Sequence, residues 1–68
     1  MNEDALNLSI RKFLKLVGVS SQRDIEHAVA RAVQSGAVEG NESFPATMTL
    51  EVPGLKLAVK FDGKIELE

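Results

Sequence analysis

Apolar residues fall along this chain in two rhythms. From Leu6 to Val33 they recur every three or four residues; from Ala46 to Leu67 they recur every second residue. The first rhythm belongs to helices with one apolar stripe, the second to strands with one apolar face. Leu6, Ile10, Phe13, Leu14 and Val17 make one stripe, and Ile25, Ala28, Val29, Ala32 and Val33 make another. Between them, Gly18 stands where a left-handed residue after a helix is expected, and Ser20 and Ser21 are candidate N-caps. Ser21 is favoured, because Asp24 follows three residues later, as in a capping box with Asp in place of Glu. The spacing predicts helices over about 3–17 and 21–35, joined by a short corner. Asn2 is expected to cap the first and Gly36 to close the second. Glu3, Asp4 and Asp24 suit the positive helix ends, and Arg11, Lys12 and Lys15 the negative end.

Residues 37–43 are polar and glycine-bearing, which reads as a surface loop, with Val38 a lone anchor or part of a short strand. Beyond them the alternation is interrupted by two turn dipeptides, Pro53-Gly54 and Asp62-Gly63. Strands are expected over about 46–52, 55–60 and 64–68. Placing Val52 opposite Leu55 pairs Leu50 with Leu57 and Met48 with Val59, and sets Glu51 against Lys56. At the second turn a two-residue loop would pair Phe61 with Lys64 and mix the faces. A three-residue loop, Phe61-Asp62-Gly63 with Gly63 left-handed, pairs Val59 with Ile65 and Leu57 with Leu67. The expected fold class is α+β: a single two-layer ααβββ domain, its helix pair packed on one face of a three-stranded antiparallel meander.

Composition narrows the function classes. Sixty-eight residues allow one domain, and a domain this small buries only about 60% of its unfolded surface. No cysteine is present, so neither a disulfide nor a Cys-based zinc site is available to stabilise it. Self-association is therefore an open expectation, with the chain a monomer or a homodimer. Eight basic against ten acidic side chains give a net charge of −2, which argues against a general nucleic-acid binder. The acidic N-terminus lacks a signal peptide's basic region, and no apolar run approaches the ~20 residues of a membrane span. A cytoplasmic protein is expected.

No reactive constellation emerges, so no catalytic residue, cofactor or metal is expected, and the chain does not read as an enzyme. His27 is the sole imidazole and neighbours Arg23 and Arg31 at four residues on either side. Glu39, Asn41 and Glu42 surround Gly40 without the spacing of a calcium loop, and read as a solvated loop. Leu8 falls off the first stripe and Leu16 on its flank; both are candidates for contact with another protein chain, or are ordinary exposed leucines. The segment from Leu14 to Val29 looks like a helix-turn-helix, in which Gln22, Arg23 and His27 would meet base edges and Arg31 a phosphate. Against it, such motifs carry an apolar residue six positions after the turn glycine, and here that position is Asp24. The sheet's polar face has no aromatic residue for stacking on a base. A strand over 64–68, at a sheet edge, has backbone groups free to receive another chain.

The block MNEDALNLSIRKFLKLVGVSSQRDIEHAV, with LEVPGLKL and DGKIELE near the end, resembles a family of short bacterial proteins that carries only a domain-of-unknown-function label. The resemblance covers the full length. It implies a small, free-standing bacterial cytoplasmic protein, and brings no activity, cofactor or site residue with it. The functional expectation is a non-enzymatic module that contacts another protein, or itself. The alternative is a weak helix-turn-helix-like DNA-binding protein using its second helix.

Overall fold

The computed structural model describes residues 1–68 and holds three long elements: α1 (Glu3–Gln34), β1 (Ser43–Val52) and β2 (Leu57–Glu66). The chain divides into two compact units, Met1–Ser35 and Gly36–Glu68. The fold is α+β, but with one long helix and a two-stranded antiparallel sheet. The expected ααβββ order, with a helix pair and a three-stranded meander, is corrected at both of its presumed breaks.

In the first unit the corner is absent, and helix runs without interruption through Val17, Gly18, Val19, Ser20 and Ser21. The reason is phase. Steps of four lead from Val17 to Ser21 and on to Ile25, so the two stripes are one stripe with Ser21 in the gap. Glycine in a helix interior costs about 0.5–1 kcal/mol relative to alanine. A corner would instead leave four carbonyls at the end of the first helix and four N–H groups at the start of the second without intrahelical partners. Ser21 is thus an interior residue and not a cap. The helix positions of intermediate exposure, Val17, Ser21, Val29 and Ala32, lie within about 120° of one another around the axis.

The ends of α1 follow local chemistry. Asn2 is the N-cap, its Oδ1 accepting the Ala5 N–H at 3.1 Å. Glu3 and Asp4 occupy the first turn, where the helix dipole favours negative charge. At the other end Ser35 donates its N–H to the Arg31 carbonyl at 3.0 Å and its hydroxyl to the Ala32 carbonyl at 3.2 Å. Gly36 follows with φ +77°, the left-handed step that ends the helix and that glycine takes without penalty.

In the second unit β1 and β2 form one hairpin, with Val52 opposite Leu57, Leu50 opposite Val59 and Met48 opposite Phe61. Each pairing is two residues away from the expected one. Two-residue hairpin loops use turns whose first central residue has positive φ, and proline is locked near −65°. Pro53-Gly54 cannot make that turn, so the loop widens to residues 53–56. Pro53–Leu55 form a single 3₁₀ turn, and Lys56, at φ 55° and ψ 35°, donates its N–H to the Pro53 carbonyl at 3.0 Å. A shift of two preserves which face each side chain occupies. It moves Lys56 out of the ladder, so Glu51 lies opposite Ala58.

Asp62-Gly63 makes no turn. β1, extended back to Ser43, offers a partner to every residue from Leu57 to Glu66, so β2 runs straight through with Asp62 opposite Thr47 and Gly63 opposite Ala46. The predicted bulge and third strand disappear. β1 also starts earlier than expected, at Ser43, which brings Phe44 opposite Ile65 and Ala46 opposite Gly63. One face is then apolar along its whole length. The other pairs Pro45 with Lys64, Thr47 with Asp62 and Thr49 with Lys60, and Thr47 Oγ1 donates to Asp62 Oδ1 at 3.0 Å.

The ladder's phase follows from one bond. Leu67 donates its N–H to the Glu42 carbonyl at 3.0 Å. Hydrogen-bonded pairs alternate along an antiparallel ladder, so Phe44–Ile65, Ala46–Gly63 and the other apolar-face pairs are the bonded ones. Pro45, which has no N–H, sits at a non-bonded position where the ladder loses nothing. The peptide groups of Ala58, Lys60, Asp62, Lys64 and Glu66 accordingly point away from β1. No residue of either unit is buried.

The continuity of α1 makes a prediction with a definite sign. A Cβ on Gly18 meets nothing within 4 Å, and Gly18 is not among the positive-φ residues. Gly18→Ala is expected to raise the unfolding free energy by about 0.5–1 kcal/mol in urea denaturation. A left-handed corner at Gly18 would give a loss instead.

Candidate interaction surface

All six side chains singled out from the sequence, Leu8, Leu16, Gln22, Arg23, His27 and Arg31, lie on α1. The helix brings some together and separates others. Arg23, His27 and Arg31, four residues apart, form one row. Gln22 lies about 140° around the axis from His27 and does not join it. Since residues 14–29 are helical throughout, the helix-turn-helix reading loses the corner that would angle a recognition helix into a groove.

Leu8 and Leu16 are brought together, and with a third residue that sequence reasoning missed. Measured from Ile10 in the stripe, Leu8, Leu16 and Val19 lie about 160°, 120° and 180° around the axis. Their side chains are 53%, 64% and 43% exposed. Val19 falls within the expected corner and so belongs to neither predicted helix. The signal for it was present in the spacing: Val19 is three residues past Leu16 and eleven past Leu8, both same-face intervals on an unbroken helix. The stripe residues Leu6, Ile10, Phe13 and Leu14 are exposed as well. Over its N-terminal half, α1 therefore carries apolar side chains on two opposed sides. A further missed residue is Leu55, 75% exposed at the hairpin tip. The proline-imposed loop puts it out of the ladder, and Leu57 takes the place opposite Val52.

The loop before β1 has its own electrostatics. The Glu42 carboxylate accepts the backbone N–H of Glu39 at 2.9 Å, of Gly40 at 2.9 Å and of Asn41 at 3.1 Å. Gly40 has φ +111°, a conformation that L side chains rarely adopt. These donors, Glu39 first and then Gly40, hold the Glu42 pKa below the ordinary glutamate range. The Glu42 oxygens are thus turned toward the loop's own amides, and no group of three or more His, Cys, Asp or Glu is placed to hold a metal ion. No helix is long and apolar enough to cross a membrane.

Compared with known proteins, residues 1–68 match a family described as "Family of unknown function (DUF6494)". No curated protein and no solved structure matches the chain.

The loop predicts a pH response. A carboxyl whose pKa is lowered by folding stabilises the fold fully above its unfolded value. That contribution is lost as pH falls through the lower, folded value. In an NMR titration the amides of Glu39, Gly40 and Asn41 should move together, at a pH below the usual glutamate range. Glu42→Gln should abolish that transition.

Proposed function

The chain belongs to the Family of unknown function (DUF6494), and since that membership carries no activity with it, we propose that the protein works by contacting another polypeptide chain and not by catalysis. The observation that supports this reading is the pair of opposed apolar lines on α1. A single layer laid against Leu6, Ile10 and Leu14 leaves Leu8, Leu16 and Val19 pointing the other way, so covering both lines takes surfaces on two sides. Exposed apolar patches on small proteins commonly mark such contacts. His27, as the only imidazole, sits between Arg23 and Arg31 in a row that fits a solvated helix face. A cytoplasmic setting suits the cysteine-free composition.

The test uses Leu8→Glu combined with Leu16→Glu. Both positions are exposed, so the double variant should keep its helicity and lose no more than about 1 kcal/mol of stability. Pull-downs from the native cell extract should show a stoichiometric protein retained by the unaltered chain and lost by the variant. The same proteins retained by both would reject the reading.

A further inference from the structure

The hairpin has two free edges, and they differ. At the β1 edge the outward peptide groups are those of Ser43, Pro45, Thr47, Thr49 and Glu51, and Pro45 leaves a gap in the row of donors. At the β2 edge, Ala58, Lys60, Asp62, Lys64 and Glu66 all offer both an N–H and a carbonyl. Charged residues on an edge strand ordinarily discourage pairing with other chains. Here their order along β2 is Lys, Asp, Lys, Glu at every second position, and that order is complementary to its own reverse.

We propose that β2 is a docking edge for a second copy of the chain, the two strands running antiparallel about a two-fold axis at Gly63. This rests on the reading that the protein works through chain contact, and it names the partner. In this register Lys60 lies opposite Glu66 of the second copy and Asp62 opposite Lys64 of the second copy. Symmetry repeats both, so all four charged residues of each strand meet an opposite charge. The outward-pointing residues face one another, as a bonded antiparallel ladder requires. On the other face Phe61 meets Ile65 and Val59 meets Leu67, and the two apolar faces lie on the same side.

Neighbouring registers fail. An axis at Asp62 sets Asp62 against itself and Lys60 against Lys64. An axis at Lys64 sets Lys64 against itself and Asp62 against Glu66. An axis at Phe61 keeps Lys60 against Asp62 but leaves Lys64 opposite Ala58, and puts Glu66 opposite Lys56, which lies in the turn. At Gly63 itself the axis needs two backbones at the closest approach of a non-bonded pair, and glycine offers no side chain to hinder it. The product is a four-stranded sheet in the order β1-β2-β2-β1. That count passes the three strands at which a sheet with one apolar face becomes stable, which two strands alone do not reach.

Two measurements test the edge. The first is sedimentation equilibrium on the full chain. Lys60→Glu and Glu66→Lys should each weaken the dimer about tenfold, and the double exchange should return it to within about threefold of the original. Glu66→Lys brings the net charge from −2 to 0, so weakening by that variant cannot come from general repulsion. The second is a crosslink. The chain has no cysteine, a Cβ on Gly63 meets nothing within 4 Å, and non-bonded antiparallel pairs bring Cα atoms to about 4.5 Å, within disulfide reach. Gly63→Cys, under copper-catalysed air oxidation of its thiols, should yield a covalent dimer, and Thr49→Cys should not. A dimer indifferent to every one of these changes would overturn the β2 edge while leaving chain contact through α1 standing. A concentration-independent monomer would overturn the second copy as partner, and the Leu8 and Leu16 variants would still decide the broader reading.

Discussion

A helix cannot cover its own apolar stripe, and a two-stranded sheet cannot cover its own apolar face. Both units of this chain meet that constraint, and no residue in either is buried. What each unit has of its own is local: the Asn2 cap, the left-handed Gly36, the i to i−4 ladder of α1, the β1–β2 ladder, and cross-strand pairs contributing about 0.2–1 kcal/mol each. Helices in proteins draw most of their stability from packing of the apolar face, and lone hairpins are marginal in water. The hydrophobic contribution therefore depends on surfaces that neither element supplies to itself. That dependence gives the exposed positions of α1 and the free edge of β2 their functional weight.

Most of the secondary structure was legible in the side-chain periods, and the errors share one cause. Local cap and turn signals are outweighed there by the longer pattern. Gly18 with Ser20 and Ser21 looks like the end of one helix and the cap of the next, yet Val17, Ser21 and Ile25 keep the four-residue step. Asp62-Gly63 looks like a turn, yet Thr47 and Ala46 of β1 pair with these two residues inside the ladder. At Gly18 the helical pattern never restarts at a new phase, and at Asp62-Gly63 a ten-residue partner strand outweighs the turn signal. Pro53-Gly54 was a true break, and even there the backbone of proline, more than the presence of a turn signal, decided the loop length and so the register.

The candidate surfaces were legible to different degrees for the same reason. Leu8 and Leu16 stand out on a helical projection of the first stripe alone. Val19 joins them only once the helix is continuous. The role of Glu42 depends on three backbone amides curling around one carboxylate, a geometry set by the left-handed Gly40 that composition does not reveal. The Lys60 to Glu66 alternation was visible as letters, but it becomes a row on one edge only when β2 is one strand and the bond from Leu67 to Glu42 sets which peptide groups point outward.

The unbroken stripe of α1 also carries a longer repeat. Leu6, Val17 and Ala28 are eleven residues apart, as are Ile10, Ser21 and Ala32, and Leu14 and Ile25. An eleven-residue period corresponds to about 3.67 residues per turn, close to the helix's own 3.6 and on the opposite side from the seven-residue heptad. The stripe consequently runs almost parallel to the axis, with a slight right-handed drift. A helix laid along it would meet it as a straight rod and not as a strand of a left-handed coiled coil. Its contact surface would taper from bulky Leu6, Ile10 and Phe13 at one end to small Ala28 and Ala32 at the other.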